Sequence, residues 1–132
     1  MINNLSVRTN SRSELNDITR QVQSVISASE IKTGLCQVFV PHTTAGVTIN
    51  ENADPDVKHD IIRALDEAVP WENNYRHMEG NSAAHLKASM MGFSVSIPVN
   101  NGALVLGTWQ CVYFCEFDGP RSRNVIVNVL GS

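Results

Sequence analysis

Apolar residues Leu15, Ile18, Val22, Val25 and Ile26 recur at steps of three and four. That spacing lines one face of an α-helix, here predicted to run to about Ala28. Ser11-Arg12-Ser13-Glu14 precedes it with capping-box spacing, in which serine and glutamate each satisfy the other's backbone N–H. Residues 2–9 form a short strand with Leu5 and Val7 on one face. Beyond a turn at Gly34, residues 35–41 read as a buried strand ended by Pro41. The bend His42-Thr43-Thr44 leads to a second strand at about 45–50. Asp54 as cap and Pro55 at the first helical position start another helix, with Val57, Ile61, Ala64, Leu65 and Ala68 as its apolar face. Gly80-Asn81 breaks the next segment. Asn81 or Ser82 can then cap a short helix that Gly92 closes in the left-handed conformation.

After Gly92 the period changes to two. Phe93, Val95 and Ile97 alternate with serines, and Asn101-Gly102 marks a hairpin whose return strand is 103–106. In 109–117, Trp109, Cys111, Tyr113, Cys115 and Phe117 share one face, and Gln110, Val112, Phe114 and Glu116 the other. Asp118-Gly119-Pro120-Arg121 is a turn, and Val125, Val127 and Val129 close the sheet. Strand, helix, two strands, helices, then antiparallel strands make an α+β fold.

With 132 residues the chain forms one domain, residues 1–132, able to bury a core without disulfides. Its net charge of −3 lacks the basic stripe of a nucleic-acid binder. No apolar run reaches membrane-spanning length and the N-terminus has no signal-peptide pattern, so the expected location is cytoplasmic. Cys36, Cys111 and Cys115 form no Cys-x-x-Cys pair and lie in apolar runs, where they act as small hydrophobes.

The polar chemistry concentrates in residues 77–92. His77 lies in the loop there and His85 in the first turns of the helix, with Glu79, Lys87 and Ser89 close in sequence. A helix N-terminus offers free N–H donors that favour an anion. His42, at a strand-to-strand bend, completes a set of three histidines outside any apolar stripe. They are candidate nitrogen ligands for zinc or a similar divalent ion, against the simpler reading of scattered surface histidines. His59 falls opposite the apolar face of its helix and reads as a solvent histidine. The turn 118–121 is either geometry alone or a phosphate site held by Arg121, with Arg123 in support or merely solvated. Glu116 and Asp118 are candidates for binding Mg²⁺ or for a general base, and Lys87 adds positive charge.

Pro-His-Thr-Thr-Ala-Gly (41–46), Asn-Glu-Asn-Ala-Asp-Pro (50–55), His-Met-Glu-Gly-Asn-Ser-Ala-Ala-His (77–85), Leu-Gly-Thr-Trp-Gln (106–110) and Glu-Phe-Asp-Gly-Pro-Arg (116–121) stand in order across nearly the whole chain. Together they resemble the YjbQ family, also described as secondary thiamine-phosphate synthases. The resemblance implies a β-sandwich-like antiparallel core with two to three helices, assembled as a homotrimer. It also implies a side activity, the coupling of hydroxymethylpyrimidine diphosphate to thiazole phosphate. In that reaction His42, His77 and His85 would hold the metal, and Arg121 and Lys87 would stabilise the leaving diphosphate. Glu116, Asp118, Glu51 or Asp54 would be orienting or basic groups. Thr43, Thr44, Asn81, Ser89, Gln110 and Arg121 are the candidate substrate contacts. Two other readings use the same residues: a metal-dependent hydrolase of a small phosphorylated metabolite, and a non-catalytic metal- or ligand-binding trimer.

Overall fold

Gln110–Glu116 (β7) is apolar on both faces, and the chain covers both. The structure, a computed structural model, describes residues 2–132. Glu14–Asp17 (β2) and Ala45–Glu51 (β4) pair antiparallel with β7 in a sheet of order β2-β7-β4. Val112 and Phe114 point from one face of β7 into an inner core. Cys111, Tyr113 and Cys115 point from the other face into an outer core, which Phe117 joins. This is the division of faces that the alternation predicts.

The inner core is closed by a second antiparallel sheet of five strands. Its spatial order is Ile2–Arg8 (β1), Ser122–Gly131 (β8), Gly34–Phe39 (β3), Ser94–Asn100 (β5) and Ala103–Leu104 (β6). Register places Val38 between Val127 and Val95, and Cys36 between Val129 and Ile97, so one apolar row faces the smaller sheet. The helix Thr19–Ser29 (α1) adds Val22 and Ile26 to that core. Helices Pro55–Ala68 (α2) and Ser82–Met91 (α3) cover the far face of the smaller sheet with Leu65, Ala84 and Ala88. The described residues thus build an α+β sandwich of eight strands and three helices. No helix among them is long and apolar enough to cross a membrane.

Local detail departs from the sequence reading in four places. Glu14 does reach back, accepting from the Ser11 and Asn10 N–H groups at 2.6 Å, as in half a capping box. No helix follows it. Residues 14–17 pair with β7 instead, putting Leu15 opposite Cys115 in the outer core, and α1 starts only at Thr19. The unpaired edge of β7 outweighs the local helix signal, since each ladder bond satisfies a backbone group that burial would otherwise strand. In α2, Asp54 caps as predicted, accepting from Asp56 N–H at 2.9 Å. Its buried stripe is rotated toward Ile61, Ile62 and Leu65, leaving Ala64 and Ala68 exposed. Asn81 precedes α3 without a side-chain capping bond. Gly92 closes α3 at a positive φ of 92°, as expected of a glycine there, but its ψ of 167° differs from that of a left-handed helical turn. Its carbonyl accepts from Val47 N–H, and the approach is so close that a Cβ on Gly46 would lie 2.5 Å from that oxygen.

Candidate functional site

At one end of the sandwich, where β7 turns into β8, a carboxylate and a guanidinium are buried together. Glu116 is 0% exposed and Arg123 4%. Arg123 donates from Nε to Glu116 Oε1 at 2.8 Å and from Nη2 to Oε2 at 2.5 Å, a bidentate pair. Glu116 also accepts from Thr9 Oγ1 and from the Phe117 and Asp118 N–H groups, all within 3.0 Å. Burial alone would raise the Glu116 pKa, but the bonds from Arg123, Asp118 N–H and Thr9 outweigh it and hold the carboxyl below its ordinary value. Arg123 donates further to Thr44 Oγ1 at 2.8 Å. It is therefore neither solvated nor aligned with Arg121, as the sequence reading allowed; it is committed to a buried pair. Gly119 is required here because a Cβ would lie 2.3 Å from Ser11 O and 2.7 Å from Thr9 Oγ1.

Outward from this pair the 118–121 turn meets α3. Asp118 Oδ2 accepts from Asn81 Nδ2 at 2.9 Å and from Arg121 Nη2 at 3.2 Å, while Arg121 Nε donates to Asp118 O at 2.9 Å. The Arg121 side chain is half exposed, so its guanidinium is oriented by the turn and still open to solvent. Among the described residues Asn81 Oδ1 is buried without a hydrogen-bond partner. His85, four residues on, shares that face of α3. Its ring meets His77 edge-on at a centroid separation of 5.3 Å. The two histidines line a cleft of about 360 Å³ with Tyr75, Arg76, Ser82 and Leu86.

His42 approaches the buried pair from the 41–44 bend. Its Nε2 accepts from Asn124 N–H at 3.0 Å. Burial first, and then the Arg123 charge, lower its pKa from the ordinary histidine value. A neutral ring accepting at Nε2 carries its proton on Nδ1. Within one chain the three candidate histidine ligands are not gathered: among the described residues no three His, Cys, Asp or Glu side chains form a metal-holding group. The structure joins His77 to His85, and bonds His42 to Asn124 within range of the Arg123 and Glu116 charges.

The remaining candidates fall in different places. Thr44 belongs to the buried network, and Thr43 is exposed beside His42 in a cleft lined with Phe39 and Phe93. Lys87, two residues from His85, points to another side of α3 and pairs with Asp66 of α2. Ser89 is exposed. Gln110 closes its own turn, accepting from Gly107 N–H at 2.8 Å, and is paired with Glu51. Both sit at the opposite end of β7 from Glu116, roughly 20 Å away at about 3.3 Å per residue. Asp54 is spent on capping α2. His59 is exposed beside Asp60, as its helix position predicts. Thr9 and the Asn124 N–H are the site members that sequence reasoning missed. Thr9 carries no sequence signal beyond its place at the end of β1.

The family described as "UPF0047 protein YjbQ-like" matches residues 3–132. The "UPF0047 protein YugU" of Bacillus subtilis (strain 168) is 52% identical over 132 residues, covering 99% of this chain and 100% of that protein. A UPF0047 protein of Methanocaldococcus jannaschii is 51% identical over 131 residues, 99% of this chain and 95% of its own length. A solved YjbQ/UPF0047 structure from Clostridium acetobutylicum superposes with a TM-score of 0.95 at 51% identity, over 97% of this chain and 99% of the other. A Sulfolobus solfataricus structure gives 0.96 at 36% identity, over 100% and 97%.

Proposed function

The chain belongs to the YjbQ-like UPF0047 family, and we propose that its polar sandwich end is a divalent-ion and phosphate site. Its reaction couples hydroxymethylpyrimidine diphosphate to thiazole phosphate, as a side activity of a cytoplasmic homotrimer. The observation that carries this reading is the His77–His85 pair, 5.3 Å between centroids, one helical turn from the buried and unpartnered Asn81 Oδ1. Two imidazoles and an amide oxygen fit a borderline-soft divalent ion, whereas His42, with its Nε2 lone pair engaged by Asn124 N–H and its Nδ1 protonated, stays out of the set. Self-association also covers the outer face of the larger sheet, where Leu35 lies opposite Leu130 and both are exposed with Phe39 and Ile2. By contrast β7, although apolar on both faces, is covered by its own domain.

The thiazole ring nitrogen gives its lone pair to the methylene carbon of the pyrimidine. The bond from that carbon to the diphosphate oxygen breaks, and its electron pair leaves with diphosphate. No proton moves and no protein nucleophile is needed. The thiols agree with this, since burial pushes Cys115 up to about 12 and Cys36 to about 11, where they stay protonated. A bound divalent ion supplies positive charge to the departing oxygens. Arg121, held in orientation by Asp118, binds phosphate oxygens through its fork, and the Glu116–Arg123 pair keeps the turn beneath it rigid. Calorimetric titration of metal-free protein with Zn²⁺, then inorganic phosphate, tests the site. The expected result is ion binding that tightens phosphate and disappears in His85→Ala. Ion affinity unchanged in His85→Ala would count against it.

A further inference from the structure

A second cleft, of about 420 Å³, lies between the 11–13 loop, α2 and α3, lined by Ser11, Arg12, Ser13, Asp66, Trp71 and Lys87 among others. Lys87 is two residues from His85, which turns it about 200° around the helix, so this cleft is separate from the histidine pair. The Lys87 side chain is 3% exposed, and among the described residues its ammonium has a single hydrogen-bonded partner, the half-exposed Asp66 carboxylate. An ammonium has three donors, so two remain at the wall of the cleft. A buried cation with one flexible partner is incompletely compensated for its lost hydration.

In the same cleft, the Arg12 guanidinium carbon stands 4.1 Å over the Trp71 ring centroid. The backbone that carries Arg12 is fixed on both sides. Asn10 and Ser11 N–H donate to Glu14, and Arg12 O accepts from Gly119 N–H at 3.1 Å. Two cations on rigid supports and two serine hydroxyls therefore surround one space, against a single carboxylate that is free to move into solvent.

We propose that this cleft is a second binding site, specific for the phosphate group of a small metabolite. Lys87 and Arg12 take its two negative charges and Ser11 and Ser13 donate to its remaining oxygens. A tetrahedral dianion satisfies donors arriving from a helix and a loop at once, and an Arg–phosphate contact is a strong, charge-assisted one. Binding moves Arg12 relative to Trp71, so the indole reports occupancy. The site does not depend on the histidine pair and stands whether or not that pair binds metal.

The test is fluorescence titration of Trp109→Phe protein, in which Trp71 is the remaining tryptophan, with inorganic phosphate and a sodium chloride control at matched ionic strength. The expected result is a saturable change with phosphate alone. Arg12→Ala should weaken it at least tenfold, Lys87→Met should abolish it, and His85→Ala should leave it unchanged. Should Lys87→Met fold poorly, Arg12→Ala at its exposed loop position decides the matter. A response equal to that of chloride, or an affinity unchanged in Arg12→Ala, overturns the proposal and leaves Lys87–Asp66 as a tie between two helices.

Discussion

Replacing Glu116 with glutamine removes one charge and almost no volume, so it isolates the buried pair. In the folded protein both carboxylate oxygens accept only: Oε1 from Thr9 and Arg123, Oε2 from Phe117 N–H, Asp118 N–H and Arg123. Whichever way the amide is turned, its NH₂ faces an Arg123 N–H that can only donate, and Arg123 is left 4% exposed without its Glu116 counter-charge. Breaking one side of such a pair costs about 3–5 kcal/mol. In urea unfolding at fixed protein concentration, Glu116→Gln should lower the unfolding free energy by that amount, read as a lower midpoint with the slope unchanged. Glu116→Leu combined with Arg123→Met should recover much of the loss, because an apolar replacement removes both desolvation penalties. A loss below about 1 kcal/mol for Glu116→Gln, in the range of an exposed pair, would refute the account of the pair as buried and fully engaged.

Acidification should destabilise the fold in two steps. His42 has a lowered folded pKa, so its contribution is complete above about 6.5, the unfolded value, and is lost as pH falls through the folded one. Glu116, also lowered, adds a second loss that begins below about 4.3. Urea midpoints from pH 8 to about 2 check this, His42→Gln should flatten the upper step, and a midpoint rising from pH 7 to 5 would contradict it. Sedimentation should give three times the chain mass, and Leu130→Lys, placing charge on the exposed apolar row, should release monomer; wild-type monomer at micromolar concentration would oppose the trimer. Arg121→Lys should weaken phosphate binding by about 1.5–3 kcal/mol through loss of the fork, with stability nearly unchanged because the side chain is half exposed. Equal calorimetric affinities would remove Arg121 from the site.

The parts of this architecture set by period were legible in the chain. The two faces of 109–117, the Asn101-Gly102 hairpin and the Asp54-Pro55 helix start all depend on short-range rules. The hairpin residues take φ 51° and 72°, as a two-residue turn of that kind demands. Leu15 illustrates what local pattern cannot decide, because its strand exists to pair with β7, 96 to 102 residues away. The site was legible in composition and less so in contact. Glu116 alternates with Val112 and Phe114, and Arg123 with Val125, Val127 and Val129, so each was already on an apolar face flanking one turn. Read together, two opposite charges on inward faces imply a buried pair. Lys87 and His85 are close in sequence, and the helical turn separates them. Gln110 and Glu116 belong to adjacent motifs and stand at opposite ends of one strand.

The most direct test of the proposed function is turnover. Purified protein with a divalent ion, hydroxymethylpyrimidine diphosphate and thiazole phosphate should form thiamine phosphate and diphosphate in equal amounts. His85→Ala should reduce the rate at least a hundredfold, equivalent to about 2.7 kcal/mol of barrier, while unfolding at the wild-type urea midpoint. Product formation no faster than in the protein-free control, or equal rates for wild type and His85→Ala, would contradict the assignment of this reaction to the site.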